Sequence, residues 1–389
     1  MNHVFHAPQA IYSGAGCRHQ LPEHIAGLGL RRVLVVTDAF LSQTGVIEPF
    51  VEQLERHGIA AHVFDAVQAD PTVDNVVAGV AAYQRVDAQG LIAIGGGSPI
   101  DAAKVIAVSL ANRGPLAQFQ GYHRVALAGP PVIVIPTTAG TGSEATKAAV
   151  ITDTTRQVKM MMLDAKLMPR IALVDFELSL SMPPPLTAHV GVDTLTHGLE
   201  AYVSRKANAL TDPLAISTIT LTARYLRRAW SEPGDREARE AMAIAALHGG
   251  MAFTNSGLCL VHGMSRPLGA LFHLPHGLSN AVLLPTVTRY SLPGAPGRYA
   301  EVARMMGLAT AANSDTAAGQ ALVDGLVQLN QDLHVPTLAE CLRHELAGFR
   351  QYTPKMAEDA LASGSPGNNP RIPTADEIVT LYEQAWTAS

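Results

Sequence analysis

The apolar positions change period part-way along the chain. Over roughly the first 180 residues, short apolar runs alternate with amphipathic stretches. Val33–Val36, which leads into Thr37 and Asp38, His62–Phe64, Leu91–Ile94 and Val132–Ile135 read as strands, and helical periodicity fills the gaps between them. Such alternation predicts strand–helix–strand units and a mostly parallel α/β sheet. Pro183, Pro184 and Pro185 then form a rigid break, after which strand-like runs become scarce. Helical periodicity dominates in 187–203, 213–228, 236–253 and 317–332. The expected organisation is an α/β domain over 1–182 followed by an all-helical domain over 183–389. Near the end, SGSPGNNPRIP reads as a polar loop, and Thr374 with Glu377 three residues on is a capping box that opens a last helix.

Composition narrows the classes. The 389 residues carry a net charge of −5, which argues against a nucleic-acid partner. Only 16% of the residues are charged and 48% are hydrophobic, so a large buried fraction is expected. No apolar run approaches the ~20 residues of a membrane span, so no membrane partner is expected. Three widely spaced cysteines, Cys17, Cys259 and Cys341, fit a reducing compartment better than a disulfide framework. The opening MNHVFHAPQA has no basic segment followed by an apolar one, and the expected location is the cytoplasm.

Two loops at strand ends carry candidate chemistry. In LIAIGGGSPIDAAK a strand meets Gly95, Gly96, Gly97 and Ser98, then a helix expected to start near Pro99 and carrying Asp101 and Lys104. The glycines let a ligand approach the backbone, and the helix start favours a phosphate, pyrophosphate above all. The turn is neither GxGxxG nor a Walker A loop, so an ordinary tight turn is the competing reading. PTTAGTGSE, from Pro136 to Glu144, follows the next strand and offers Thr137, Thr138, Thr141 and Ser143 for a cofactor. Ligands of open parallel sheets sit at the carboxyl ends of strands, where both loops fall. Asp38, ending the first clear strand, suits a ribose 2′-hydroxyl and repels a 2′-phosphate, which favours NAD over NADP.

The second half carries a metal-ligand pattern. Asp193 and His197 lie four apart in GVDTLTHGLEAY, so both project from one helix face. A helix-surface pair without a metal is the competing reading. In CLVHGMSRPLGALFHLPHG, His262, His273 and His276 fall within fifteen residues of an apolar run. Asp193, His197, His262 and His276 make one carboxylate and three imidazoles, a set suited to Fe²⁺ or Zn²⁺ with a position left for a substrate oxygen. His273, between Phe272 and Leu274, is the rival ligand and reads better as a core histidine or one that supports the ligands.

Taken together, GGGSPIDAAK, TTAGTGSE, MPPPLTAHVGVDTLTHGLEAY, LVHGMSRPLGALFHLPHGLSNAVLLP and NNPR resemble the iron-containing, group III alcohol dehydrogenases over nearly the whole chain. The resemblance implies a Rossmann-like first domain, an all-helical metal-binding second domain of dehydroquinate synthase-like architecture, and a cleft holding NAD(P) and a divalent ion, Fe²⁺ ahead of Zn²⁺. By position it implies Asp193, His197, His262 and His276 as ligands, and Gly96, Gly97, Ser98 and Asp101 beside the pyrophosphate. It also implies Thr138, Thr141 and Lys159 near the nicotinamide, Asp38 at the adenosine ribose, a small alcohol or aldehyde as substrate, and a homodimer or larger homo-oligomer.

One position departs from the family: a histidine is usual four residues after the third ligand, and here Arg266 stands there. A fixed cationic fork on the face of His262 suggests an anchor for an acidic group of the substrate or cofactor, with a structural ion pair as the alternative. Proton exchange is left to the ribose hydroxyl, a water or His273. The competing functions are a sugar-phosphate cyclase of dehydroquinate synthase type and an NAD-binding protein without turnover.

Overall fold

In the computed structural model, which describes residues 3–343 and 346–387, the chain divides into a unit of His6–Leu180 and a unit of Ser181–Ser389 with Met1–Phe5. The first contains, in order, β1 Ala10–Ser13, α1 Leu21–Gly27, β2 Arg32–Asp38, α2 Ala39–Gln43, α3 Glu48–Arg56, β3 Ala60–Val67 and α4 Val73–Arg85. β4 Gly90–Gly95, α5 Gly97–Ala111, β5 Gly121–Tyr122, β6 Val132–Pro136, β7 Ala148–Asp153, β8 Val158–Leu163 and β9 Ile171–Val174 complete it. The four runs expected to be strands lie within β2, β3, β4 and β6. β1, β9 and the small sheet β5–β8–β7 were not expected.

The main sheet has the order β1–β9–β6–β4–β2–β3, with every pair parallel. Its central strands are apolar on both faces because both are covered. Val33, Val35, Ile92, Ile94, Ile133 and Ile135 join Leu21, Ile25, Phe50 and Leu54 of α1 and α3 in one cluster. Leu34, Val36, Leu91, Ala93 and Val134 point the other way and are equally buried. From β2 the chain builds first to one side, with β3, and then to the other, with β4. The order therefore reverses between β2 and β4, the topological switch point at which open α/β sheets bind ligands. Asp38 ends one of these strands and the Gly95–Gly97 turn follows the other.

The second unit contains α6 Pro184–Val203, α7 Asp212–Ser231, α8 Arg236–Ser256, α9 Leu260–Phe272, α10 His276–Ser291, α11 Pro296–Met305, α12 Asp315–Asp332, α13 Leu338–Cys341, α14 Leu346–Ala362 and α15 Ala375–Thr387. No strand occurs among its described residues. α6 is buried without a break from Val190 to Val203, a central helix packed by α7, α8 and α10. The expected capping box opens α15: Thr374 N donates to Glu377 Oε2 at 2.9 Å and Glu377 N to Thr374 Oγ1 at 3.2 Å.

Two details fix α10. Pro285 within it has no N–H for the carbonyl of Ala281, and Asn330 Nδ2 on α12 donates to that oxygen at 2.8 Å instead. At the other end, a Cβ on Gly277 would lie 2.7 Å from the His189 carbonyl oxygen of α6, so glycine permits α6 and α10 to touch backbone to backbone. Among the described residues no single helix is long and apolar enough to cross a membrane.

Gly277→Ala forces the first turn of α10 away from α6. Its expected loss of stability is about 1–3 kcal/mol, as for overpacking generally, and urea unfolding against the wild type measures it.

Candidate metal centre

Three helices of the second unit converge on one carboxylate oxygen. α6 carries Asp193, His197 and Glu200 at positions one, two and three turns along one face. α9 brings His262 in its first turn, and α10 starts on His276. Asp193 Oδ1 lies 3.5 Å from His197 Nε2, 3.3 Å from His262 Nε2 and 3.8 Å from His276 Nε2. One ligand atom from each of the four residues falls within 4.8 Å of all the others. Ligands at about 2.1 Å around a tetrahedral ion lie about 3.4 Å apart, so the set fits a small divalent cation. Asp193, His197 and His262 are buried and His276 is half-buried. Burial alone would push the Asp193 carboxyl up, but His197, His276 and His262 outweigh it and hold it well below the ordinary carboxylate range.

The imidazoles are supported from behind. His262 Nδ1 lies 2.8 Å from Glu200 Oε2. A carboxylate only accepts, so Nδ1 carries the proton and Nε2 is the nitrogen left to face a metal. Glu200 is itself held by the N–H groups of Cys259, at 2.8 Å, and Val261, at 2.6 Å. The His197 ring stacks on His262 with centroids 4.8 Å apart and leans on Phe253. Sequence reasoning missed Glu200, although its spacing of seven from Asp193 and three from His197 puts it on the same helix face.

Two expected residues lie differently from the ligands. His273, expected in the core or in support of the ligands, is exposed: it ends α9 in a left-handed conformation with φ 55°. The chain turns there towards Pro275, so the apolar neighbours Phe272 and Leu274 do not share its direction. Arg266 is buried one turn after His262, and its Nη1 donates to Ser365 Oγ at 2.9 Å.

In the first unit, β2, β4 and β6 are adjacent and parallel, so Asp38, Gly96–Gly97 and Thr137–Thr138 follow one another along a single sheet edge. α5 starts at Gly97, two residues before the expected Pro99, because Gly96 takes the cap position in extended conformation with no side-chain cap bond. A Cβ on Gly95, at φ 152°, would meet Pro99 Cγ at 2.6 Å, which makes glycine obligatory in the turn. Asp38 accepts the N–H of Leu41 on Oδ1 at 2.9 Å and so caps α2. Lys159 Nζ pairs with Asp70 Oδ1 at 2.6 Å.

The two loops are clamped together from below. Asp101 Oδ1 accepts from Ser143 Oγ at 2.5 Å and its Oδ2 from Val150 N at 2.9 Å. Buried Lys104 donates to Ser143 Oγ at 2.8 Å, Thr146 Oγ1 at 3.0 Å and the Ala148 carbonyl at 2.8 Å. Burial pulls the Lys104 ammonium down to about 8 against the attraction of Asp101 and Glu144. Burial likewise pushes the Glu144 carboxyl up to about 7, against its own backbone hydrogen bond and Lys104. Asp101 and Ser143, expected at the cofactor, thus spend these contacts on holding the loops to each other.

Comparison with known proteins places these features. The iron-containing alcohol dehydrogenase family matches residues 8–176, and the C-terminal part of the Fe-containing alcohol dehydrogenase family matches residues 187–386. The chain is 37% identical over 381 residues to lactaldehyde reductase of Escherichia coli strain K12, covering 97% of this chain and 98% of that one. A solved 1,3-propanediol oxidoreductase superposes with a TM-score of 0.95 at 35% identity, over 99% of this chain and 100% of its own. Sulfoacetaldehyde reductase from Bifidobacterium kashiwanohense, solved in complex with NAD⁺, superposes with a TM-score of 0.86 at 27% identity, over 100% of both chains.

Because Glu144 stays protonated in the folded chain up to about 7 but ionises at its ordinary lower value once unfolded, the unfolded state gains on the folded one between those values. Wild-type stability is therefore expected to fall from about pH 5 to about pH 7.5 relative to Glu144→Gln, as read by thermal unfolding of both proteins across that range.

Proposed function

The chain belongs to the iron-containing alcohol dehydrogenase family, and we propose that it interconverts a small aldehyde and its alcohol with NAD and a divalent ion, Fe²⁺ ahead of Zn²⁺, held by Asp193, His197, His262 and His276. The observation that carries this reading is the convergence of three imidazole nitrogens on Asp193 Oδ1. When bound, the ion supplies Lewis-acid stabilisation of the developing alkoxide and the dinucleotide carries the hydride.

The chain's own residues bind and orient. Glu200 fixes the tautomer of His262. The free N–H groups at the start of α5, at Gly97 and Ser98, together with Gly96, receive the pyrophosphate. Asp38 keeps Oδ2 for a ribose hydroxyl, which favours NAD over NADP. Thr138, Thr141 and Lys159 serve the nicotinamide end and Thr137 lines the same cofactor loop, while Asp101, Ser143 and Lys104 hold the two loops in register. His273, exposed at the end of α9, is our candidate for proton exchange with solvent.

Arg266 narrows the substrate. A guanidinium on the face of His262 is a fixed cation with a fork of donors, suited to a carboxylate or sulfonate. The name sulfoacetaldehyde reductase describes such an acid-bearing aldehyde for one relative. We assign the protein to the cytoplasm, a placement supported by the free thiols of Cys17, Cys259 and Cys341, and to a homodimer or larger homo-oligomer, supported by the family resemblance.

Metal-free protein prepared anaerobically is expected to oxidise NADH with an aldehyde only after Fe²⁺ or Zn²⁺ is added; turnover without either would refute the metal reading. Arg266→His is expected to lower the preference for acid-bearing over neutral aldehydes by about 10- to 100-fold, the worth of a charge-assisted hydrogen bond. An unchanged preference rejects the anchor.

A further inference from the structure

The fourth residue after His276 is Asn280, one turn along α10 and 0% exposed. Its Nδ2 lies 2.6 Å from Asp193 Oδ1, 3.1 Å from His262 Nε2 and 3.2 Å from His276 Nε2. The end of the amide facing Asp193 must be the nitrogen, because a carboxylate only accepts. Its other end, Oδ1, is buried with no hydrogen-bond partner among the described residues. Asparagine is a poor helix former, and it is favoured in helices mainly as a cap. Asn280 caps nothing: it sits inside α10, where an apolar side chain would serve the packing without burying an amide. All the polar contacts of its side chain are with three of the four candidate ligands.

We propose that Asn280 is a positioning residue of the metal centre. Its N–H group pins the Asp193 carboxylate so that Oδ1, the oxygen facing the three imidazoles, is the ligand. Glu200 orients His262 in the same way, by accepting its Nδ1–H. The centre thus has two ligands held from outside, and losing such an outer partner typically costs about 10- to 100-fold in metal affinity.

The inference rests on the metal reading of the four residues, and Co²⁺ titration of the full-length, metal-free protein tests the two separately. Affinity is read by competition with a chromophoric chelator, and ligand geometry by the visible d–d bands. Asn280→Leu is expected to weaken Co²⁺ binding by about 10- to 100-fold and to shift the bands, with Asn280→Ser, which restores a short donor, recovering part of both. Wild-type affinity and bands in Asn280→Leu overturn the role of Asn280. Should that variant fail to fold, Asn280→Ser decides alone: weakened binding with shifted bands supports the role, and wild-type values overturn it. A wild type that takes no Co²⁺ overturns the metal reading itself, and this inference with it.

Discussion

An ionised carboxylate sealed inside a helical unit is the constraint around which the second half of the chain is built. Asp193 is 1% exposed, and a lone buried anion is among the least tolerable features of a protein interior. Three imidazoles and one carboxamide are gathered to it from α6, α9 and α10, and each gathering group imposes a demand of its own. His262 needs Glu200 behind it, and Glu200 in turn needs the backbone N–H groups that open α9. α10 must lie against α6 closely enough for His276 to reach, which is why glycine follows His276. The polar centre therefore dictates packing as much as packing dictates the centre.

The α/β unit follows a different logic. Its apolar strands need no chemistry to be stable, and the polar residues sit where the strands stop. What holds the two strand-end loops in place is a buried ammonium, Lys104, whose position three residues after Asp101 lets one helix turn present both signs of charge to the Ser143 loop. Removing either charge of a buried pair leaves the other uncompensated, so Lys104 and Asp101 hold the Ser143 loop as a pair.

Much of this was legible in the amino-acid order. Runs such as Leu91–Ile94 announce strands because a strand covered on both faces has no polar alternation to blur it. β1, whose residues are only half-buried, and the small β5–β8–β7 sheet carry no such signal. Asp193 with His197 is visible through helical spacing. Glu200 and Asn280 escaped because glutamate and asparagine are common and their role depends on what other helices bring to them. His273 misled for a related reason: apolar neighbours indicate burial only while the helix continues, and here it ends.

Asp38 has two employments, and they constrain its replacement. One oxygen closes the first turn of α2, while in the proposed NAD site the other is left for the sugar. A change of dinucleotide preference by mutation at this position must remove the negative charge without removing the cap. Serine, threonine and asparagine satisfy both conditions, since they also rank among the favoured caps, whereas alanine or a basic residue would fray the helix as it relaxed the selectivity. On the proposed NAD reading, a change of cofactor by a single substitution here is thereby confined to a handful of small polar side chains.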